Sequence, residues 1–230
     1  MTRQAAIAVS IAVLGYLLFW AGTWGLANLA SLGPRRAMAL LERDTGKYNG
    51  VAWEGVSDNL LKAHSLNSIN ADYAYDIGRL NEWRAMGLPV WTREARRYRS
   101  RAIEYFRLAL TMRPSSSFMW AQLAYSKVLN QEVGKETFDS MDKAIVFGPW
   151  EEVARLKVIG MGIALWSTLP AQLKEQLNKI IARSLNHGKQ SGRVIDTAVW
   201  LGWEGNLRPL ITQEHNEKKL RRALKKFNKR

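Results

Sequence analysis

The residue types able to move protons, hold metals or attack carbonyls are few in this chain and poorly placed for chemistry. The three histidines, His64, His187 and His215, are scattered, and none stands with carboxylates at metal-ligand spacing. There is no cysteine, which excludes thiol nucleophiles, zinc-thiolate sites and disulfides. Gly160-Met161-Gly162 lies inside a helical pattern and suits close helix packing rather than a phosphate loop. Glu151 and Glu152 follow Pro149 in a first helical turn, where acidic groups offset the helix dipole. Neither G-x-S-x-G nor H-E-x-x-H occurs. The expectation is a non-enzymatic protein, with no catalytic, cofactor-binding or metal-binding residue assigned.

Positive charge and tryptophan are abundant instead. Lys and Arg number 34 against 20 Asp and Glu, a net charge of +14, which speaks to partners rather than to fold. In "REARRYRSR", Arg93, Arg97 and Arg101 fall on one helical stripe, either a solvated face or a contact for an anionic partner. Tryptophan stacks on sugar rings, but Trp83, Trp91, Trp120, Trp166, Trp200 and Trp203 are expected to fill helix seams. The C-terminal "TQEHNEKKLRRALKKFNKR" offers Thr212 as a cap, with Glu214 and Glu217 near its start. Eight cations follow, including Lys218, Lys219, Arg221, Arg222, Lys225 and Lys226. Leu220, Ala223, Leu224 and Phe227 make a narrow apolar stripe at i, i+3, i+4 and i+7. Such a helix suits anionic lipid, an acidic partner or nucleic acid, unless it is a solvated terminus. The tail is expected to be dispensable for folding.

These groups need elements to carry them. From Gln4 to Pro34 there is no charged residue. About 20 apolar residues span a bilayer, so the run is long enough to cross with tilt. It is also too long for the core of a signal peptide, and "ANLAS" is a poor cleavage site. Tyr16, Trp20 and Trp24 are aromatics of the kind found at membrane interfaces. The charges flanking the run, Arg3 on one side and Arg35, Arg36, Arg43 and Lys47 on the other, place the larger part in the cytoplasm by a literal count. Long domains cross largely regardless of that count, so orientation stays open.

Everything after the anchor reads as helix. Pro34 suits the start of "PRRAMALLERDTGK", and "WEGVSDNLLKAHSL" places Val56, Leu60, Ala63 and His64 on one face. Asn70 caps a helix that ends at Gly87, and the next runs from Trp91 to Met112 before Pro114. "SFMWAQLAYSKVLN" and "KETFDSMDKAIVF" are separated by a Gly134 turn. Pro149 and Pro170 open two further helices, Gly188 is a stop, and "SGRVIDTAVWLGW" is one more short helix.

Ala102, Phe106, Ala109 and Pro114 have the spacing of the second helix of a tetratricopeptide repeat, and Trp120 and Leu123 fall where the next first helix begins. The small alanines let helices approach, and proline turns the chain back. Ala144 and Pro149 repeat this spacing 35 residues later, against about 34 for the ideal repeat. Ile77-Gly78 stands where the pattern has Leu-Gly, and Lys127 stands where it has an aromatic. The expected architecture is all-α: a transmembrane anchor over 1–33, an α-solenoid of degenerate tetratricopeptide-like pairs over 34–210, and a basic tail over 211–230. An irregular helical bundle is the alternative.

Across roughly residues 34–205, "NADYAYDIGRLNEW", "AIEYFRLALTMRPSSSFMWAQLAYSK" and "AIVFGPWEEVARL", in this order, resemble small membrane-anchored accessory proteins of bacterial exopolysaccharide clusters, the VpsP-like polysaccharide biosynthesis family. The resemblance implies one helix in the inner membrane, a periplasmic helical-repeat domain and a role in polymer assembly or export. It argues against nucleic acid, and the concave surface that stacked helix pairs generate suits docking of a protein partner in that machinery. Direct binding of an anionic glycan is the alternative, or of anionic lipid or nucleic acid if the domain is cytoplasmic.

Overall fold

Helix α1, Arg3–Arg43, runs unbroken through Pro34, where the sequence suggests a new helix starting. Proline inside a helix costs a hydrogen bond and clashes with the preceding turn. Here Pro34 is buried, as are Ala27, Ser31 and Met38 along the same side, and that packing offsets the loss. The computed structural model describes residues 3–43 and 53–227, so Lys47 and the end of the helix expected there lie outside the described residues. Residues Arg3–Leu40 form a helix long and apolar enough to cross a membrane. Among the described residues all regular structure is helical, with no strand.

The chain divides into two compact units, Met1–Pro114 and Ser115–Arg230. In the first, α2 (Trp53–Leu66) folds back along the C-terminal half of α1. Met38 packs with Leu60, Ile77 and Leu80, and Ala27 packs with Ala63 and Tyr73. Helix α3 (Ala71–Met86) starts where expected, with Asn70 Oδ1 accepting from the Asp72 amide. Its partner α4 (Arg93–Met112) starts two residues later than the sequence suggests, because Thr92 is the cap, accepting from the Ala95 amide. Trp91 is therefore outside the helix.

In the second unit α5 (Ser117–Leu129) pairs with α6 (Lys135–Phe147), and α7 (Glu152–Ala164) pairs with α8 (Ala171–Leu185). Helix α5 also packs on α7, and α7 on α9 (Gly188–Trp200), so hairpin follows hairpin. The starts at Ser117, Glu152 and Gly188 recur at nearly the spacing read from Ala109 and Ala144. Gly188 begins α9 rather than stopping α8, whose C-cap is Asn186. The α5–α6 turn is made by Gln131 in left-handed geometry (φ 62°), while Gly134 is extended. A short α10 (Glu204–Leu207) leads to α11 (Glu214–Phe227), which starts beyond Thr212. Leu220 and Ala223 enter the second unit's core, and Leu224 and Phe227 pack on it.

Candidate interaction surfaces

Ala102, Phe106, Ala109, Leu123 and Ala144 are buried, each on the side of its helix that faces the partner helix. Phe106 lies over Gly78, whose hydrogen gives the ring its space. Gly162 performs the same service for the Leu177 side chain, whereas Gly160 has open room. Trp120 is half-buried and holds the Lys143 ammonium 4.1 Å from its ring centre. Pro114 is exposed at the end of α4. Pro149 contributes its carbonyl, which accepts from Arg155 at 3.0 Å and from Arg183 at 3.4 Å. Buried Arg155 also donates to Gln190 Oε1, and burial, with the nearby Arg183, holds its guanidinium below the usual arginine range.

Lys127 takes the repeat's aromatic position by a different means. Its side chain is buried, and the ammonium contacts Glu132 at 2.9 Å in the turn and Glu136 at 2.8 Å in α6. Burial lowers its proton affinity, but the hydrogen bonds to the two glutamates win and hold it above the usual lysine range. An ion cluster closes this hairpin where the pattern has stacked rings.

The tryptophans divide. Trp203 is buried and meets Trp166 edge-to-face at 4.9 Å, and Trp83 is half-buried, as expected of seam residues. Trp91 and Trp200 are not in seams: they are 83% and 67% exposed. Trp150, which the sequence reading did not single out, is 73% exposed beside exposed Phe147 and Val153, with the Arg183 guanidinium 4.8 Å from its ring centre.

Trp91 stands beside exposed Met86 and Val90 in the α3–α4 connection, and Arg93, Arg97 and Arg101 are exposed along the α4 that follows. Arg99, from the same basic run, turns inward and donates to the Val90 carbonyl at 2.7 Å, clamping the connection. Apolar side chains rimmed by arginine in this way are the composition of a contact surface. At the other end of the hairpin, Arg113 reaches Asp72 at 2.7 Å, tying the end of α4 to the start of α3. Arg93 is about 30 Å from that end and Arg101 about 18 Å, at 1.5 Å per residue.

The cations of α11 are mostly solvent-facing. Lys218, Arg221, Arg222, Lys225 and Lys226 are exposed, while half-buried Lys219 donates to Ser191 Oγ at 2.7 Å. Lys218 and Lys226 face Glu214 and Asp196 at 2.8 and 3.7 Å. Asn216, buried, donates to the Leu185 carbonyl at 2.8 Å and so completes the end of α8. The apolar stripe of the tail meets the core, which weighs against the expectation that the tail is dispensable for folding.

His64 is half-buried on α2, where burial lowers its pKa, His187 is exposed in the α8–α9 turn and His215 is exposed on α11. Among the described residues no group of three or more His, Asp or Glu is placed to hold a metal ion. No protein-family profile matches the chain, and no curated protein matches it.

Proposed function

We propose that the protein is a non-enzymatic adaptor, held in the bacterial inner membrane by the first part of α1, whose helix hairpins dock a protein partner of an exopolysaccharide assembly or export machine on the periplasmic side. The observation that carries the docking role is the exposed Trp91, with Met86 and Val90, next to Arg93, Arg97 and Arg101. Tryptophan and arginine are enriched among interface hot spots, and a contiguous exposed apolar patch rimmed by polar groups marks an interaction site. The patch lies at the end of its hairpin away from the apolar segment of α1. Its arginines are therefore more than a Debye length of about 8–10 Å from that end, which favours a partner other than the lipid surface. The polymer pathway rests on the resemblance in residues 34–205.

The test is complementation of a deletion strain, reading polymer yield and length. Wild-type chain should restore both. A chain carrying Trp91→Ala with Arg93→Glu, Arg97→Glu and Arg101→Glu should reach the membrane in equal amount and restore neither. Normal polymer in the deletion strain would sink the proposal.

Trp91 beside an arginine row also favours a second reading, direct capture of an anionic glycan. Titration of the full chain in detergent with the polymer separates the two. Glycan binding that weakens steeply with salt and vanishes in the four-site variant supports the second, and no binding supports the protein partner. A C-terminal topology fusion reporting the cytoplasm would overturn both.

A further inference from the structure

The apolar run of α1 is longer than a membrane requires, and its surroundings indicate which part lies in lipid. Residues from Ala27 onward pack against α2, whose outer face carries exposed Glu54, Asp58 and Lys62. Charged side chains of that kind do not belong in hydrocarbon. A span of about 20 residues from Gln4 ends at Thr23, just before that contact begins. Tyr16, Trp20 and Trp24 form an edge-to-face ladder with ring centres 6.1 Å apart, at the level where an aromatic belt would stand. Helix α2 runs back toward this level, and its last turn and the α2–α3 connection meet α1 there. Phe19, Trp20 and Thr23 on one side and Leu66, Asn67 and Ile69 on the other line an open cleft. Ile69, at the tip, is 71% exposed. The polar groups at the cleft include the hydroxyls of Thr23 and Ser65, which donate to the Trp20 and Lys62 carbonyls and keep oxygen lone pairs able to accept from a headgroup ammonium or hydroxyl.

We infer that the α2–α3 turn, Asn67–Asn70, is a second membrane contact: Ile69 enters the boundary between headgroups and acyl chains beside Trp20, and the cleft between turn and helix takes a lipid headgroup. The inference rests on the reading of α1 as an anchor. It gives the exposed Ile69 a solvent suited to it, and it fixes the α3–α4 hairpin upright from the bilayer, because α3 starts at this turn. The interfacial zone outside the hydrocarbon is about 5–8 Å deep on each side, enough for one loop tip.

The absence of cysteine makes the test direct. The full chain carrying Val13→Cys, Ile69→Cys or Met86→Cys singly, each at an exposed position, is nitroxide-labelled and reconstituted in vesicles of phosphatidylethanolamine and phosphatidylglycerol. Collision rates with oxygen and with a water-soluble nickel chelate then report depth. The expected order is Val13 deep, Ile69 at the boundary with nickel accessibility at least about three-fold below Met86, and Met86 in water. Val13 deep with Ile69 as accessible to nickel as Met86 overturns this inference and leaves the anchor standing. Val13 in water overturns both.

Discussion

A Cβ placed on Gly78 would stand 2.5 Å from Cε1 of Phe106, so α3 and α4 approach at a distance that no side chain at position 78 permits. Phe106 cannot swing aside freely, since it is fully buried with Tyr75 5.5 Å away, ring centre to ring centre. Gly78→Ala gains about 1 kcal/mol of helix propensity. It also overpacks a closed seam, at about 1–3 kcal/mol. The overlap is severe enough for packing to win. Gly78→Ala is expected to lower the thermal midpoint of the full chain in detergent, and adding Phe106→Leu should recover part of the loss. A higher midpoint for Gly78→Ala alone would show that the ring yields.

The Lys127 cluster makes a prediction in which the singly charged remnant is worse than the neutral replacement. Glu132→Gln with Glu136→Gln leaves the ammonium buried beside weaker partners, and should cost about 1–3 kcal/mol. Lys127→Met removes the charge and fills the same volume, so it should cost less than the double glutamine variant. Hydrogen exchange of the α5–α6 amides reads both. Because the lysine is held above its ordinary range, its contribution is complete at neutral pH and is lost only as alkaline pH passes its folded value. The reverse ranking of the two variants would mean that the ion pairs stabilise beyond satisfying the lysine.

Arg35 and Asp76 give a pH signature. Burial pushes the Asp76 carboxyl up, and the Arg35 guanidinium, 2.8 Å away, pulls it back without cancelling the shift. A raised folded value means that the native state holds its proton more tightly than the unfolded chain. Asp76 therefore favours folding at acid pH, and that contribution is lost as pH rises through the folded value. Arg35→Met removes the main offset to burial. Its penalty should be small at acid pH, where the carboxyl is protonated, and about 1–3 kcal/mol at pH 7. Asp76→Asn in the Arg35→Met background should flatten the difference. Melting curves at the two pH values decide it, and a pH-independent penalty would contradict the assignment.

Much of this fold is legible because helix ends carry local chemistry. Trp53–Leu66 and Lys135–Phe147 fall where the apolar period begins and ends, and Asn70 caps as its type suggests. Pro34 misleads because its local cost is offset by α2, which is distant in sequence. Gly188 misleads because a glycine between helices can belong to either side. The alanine and glycine packing positions are readable, since small residues at helical spacing have few other uses. Trp91 and Trp200 are not, because a tryptophan's apolar spacing is the same whether a helix of the same chain or another molecule covers it. Nor is the Arg35–Asp76 pair legible, as its members are 41 residues apart with no shared period.

Helix α11 has a strongly basic composition yet holds a place in the core, and the two roles can be separated. Leu220 is fully buried and Ala223 nearly so, and Asn216 supplies the hydrogen-bond donor for the Leu185 carbonyl at the end of α8. Leu220→Ala should cost about 2–5 kcal/mol, the range for a buried leucine whose site cannot collapse. Ending the chain at residue 210 removes all of these contacts at once and uncovers the side of α9 that packs on α11. That truncation should expose the second unit to limited proteolysis and lower its helicity. By contrast, Arg221→Gln, Arg222→Gln and Lys225→Gln lie on the exposed face and should each stay within about 0.5 kcal/mol of the parent. The same three changes should reduce binding to phosphatidylglycerol vesicles or an acidic protein if the cations serve a partner. A chain ending at 210 that melts with the midpoint and cooperativity of the full chain would make α11 an appendage, and the buried Leu220 would then need another explanation.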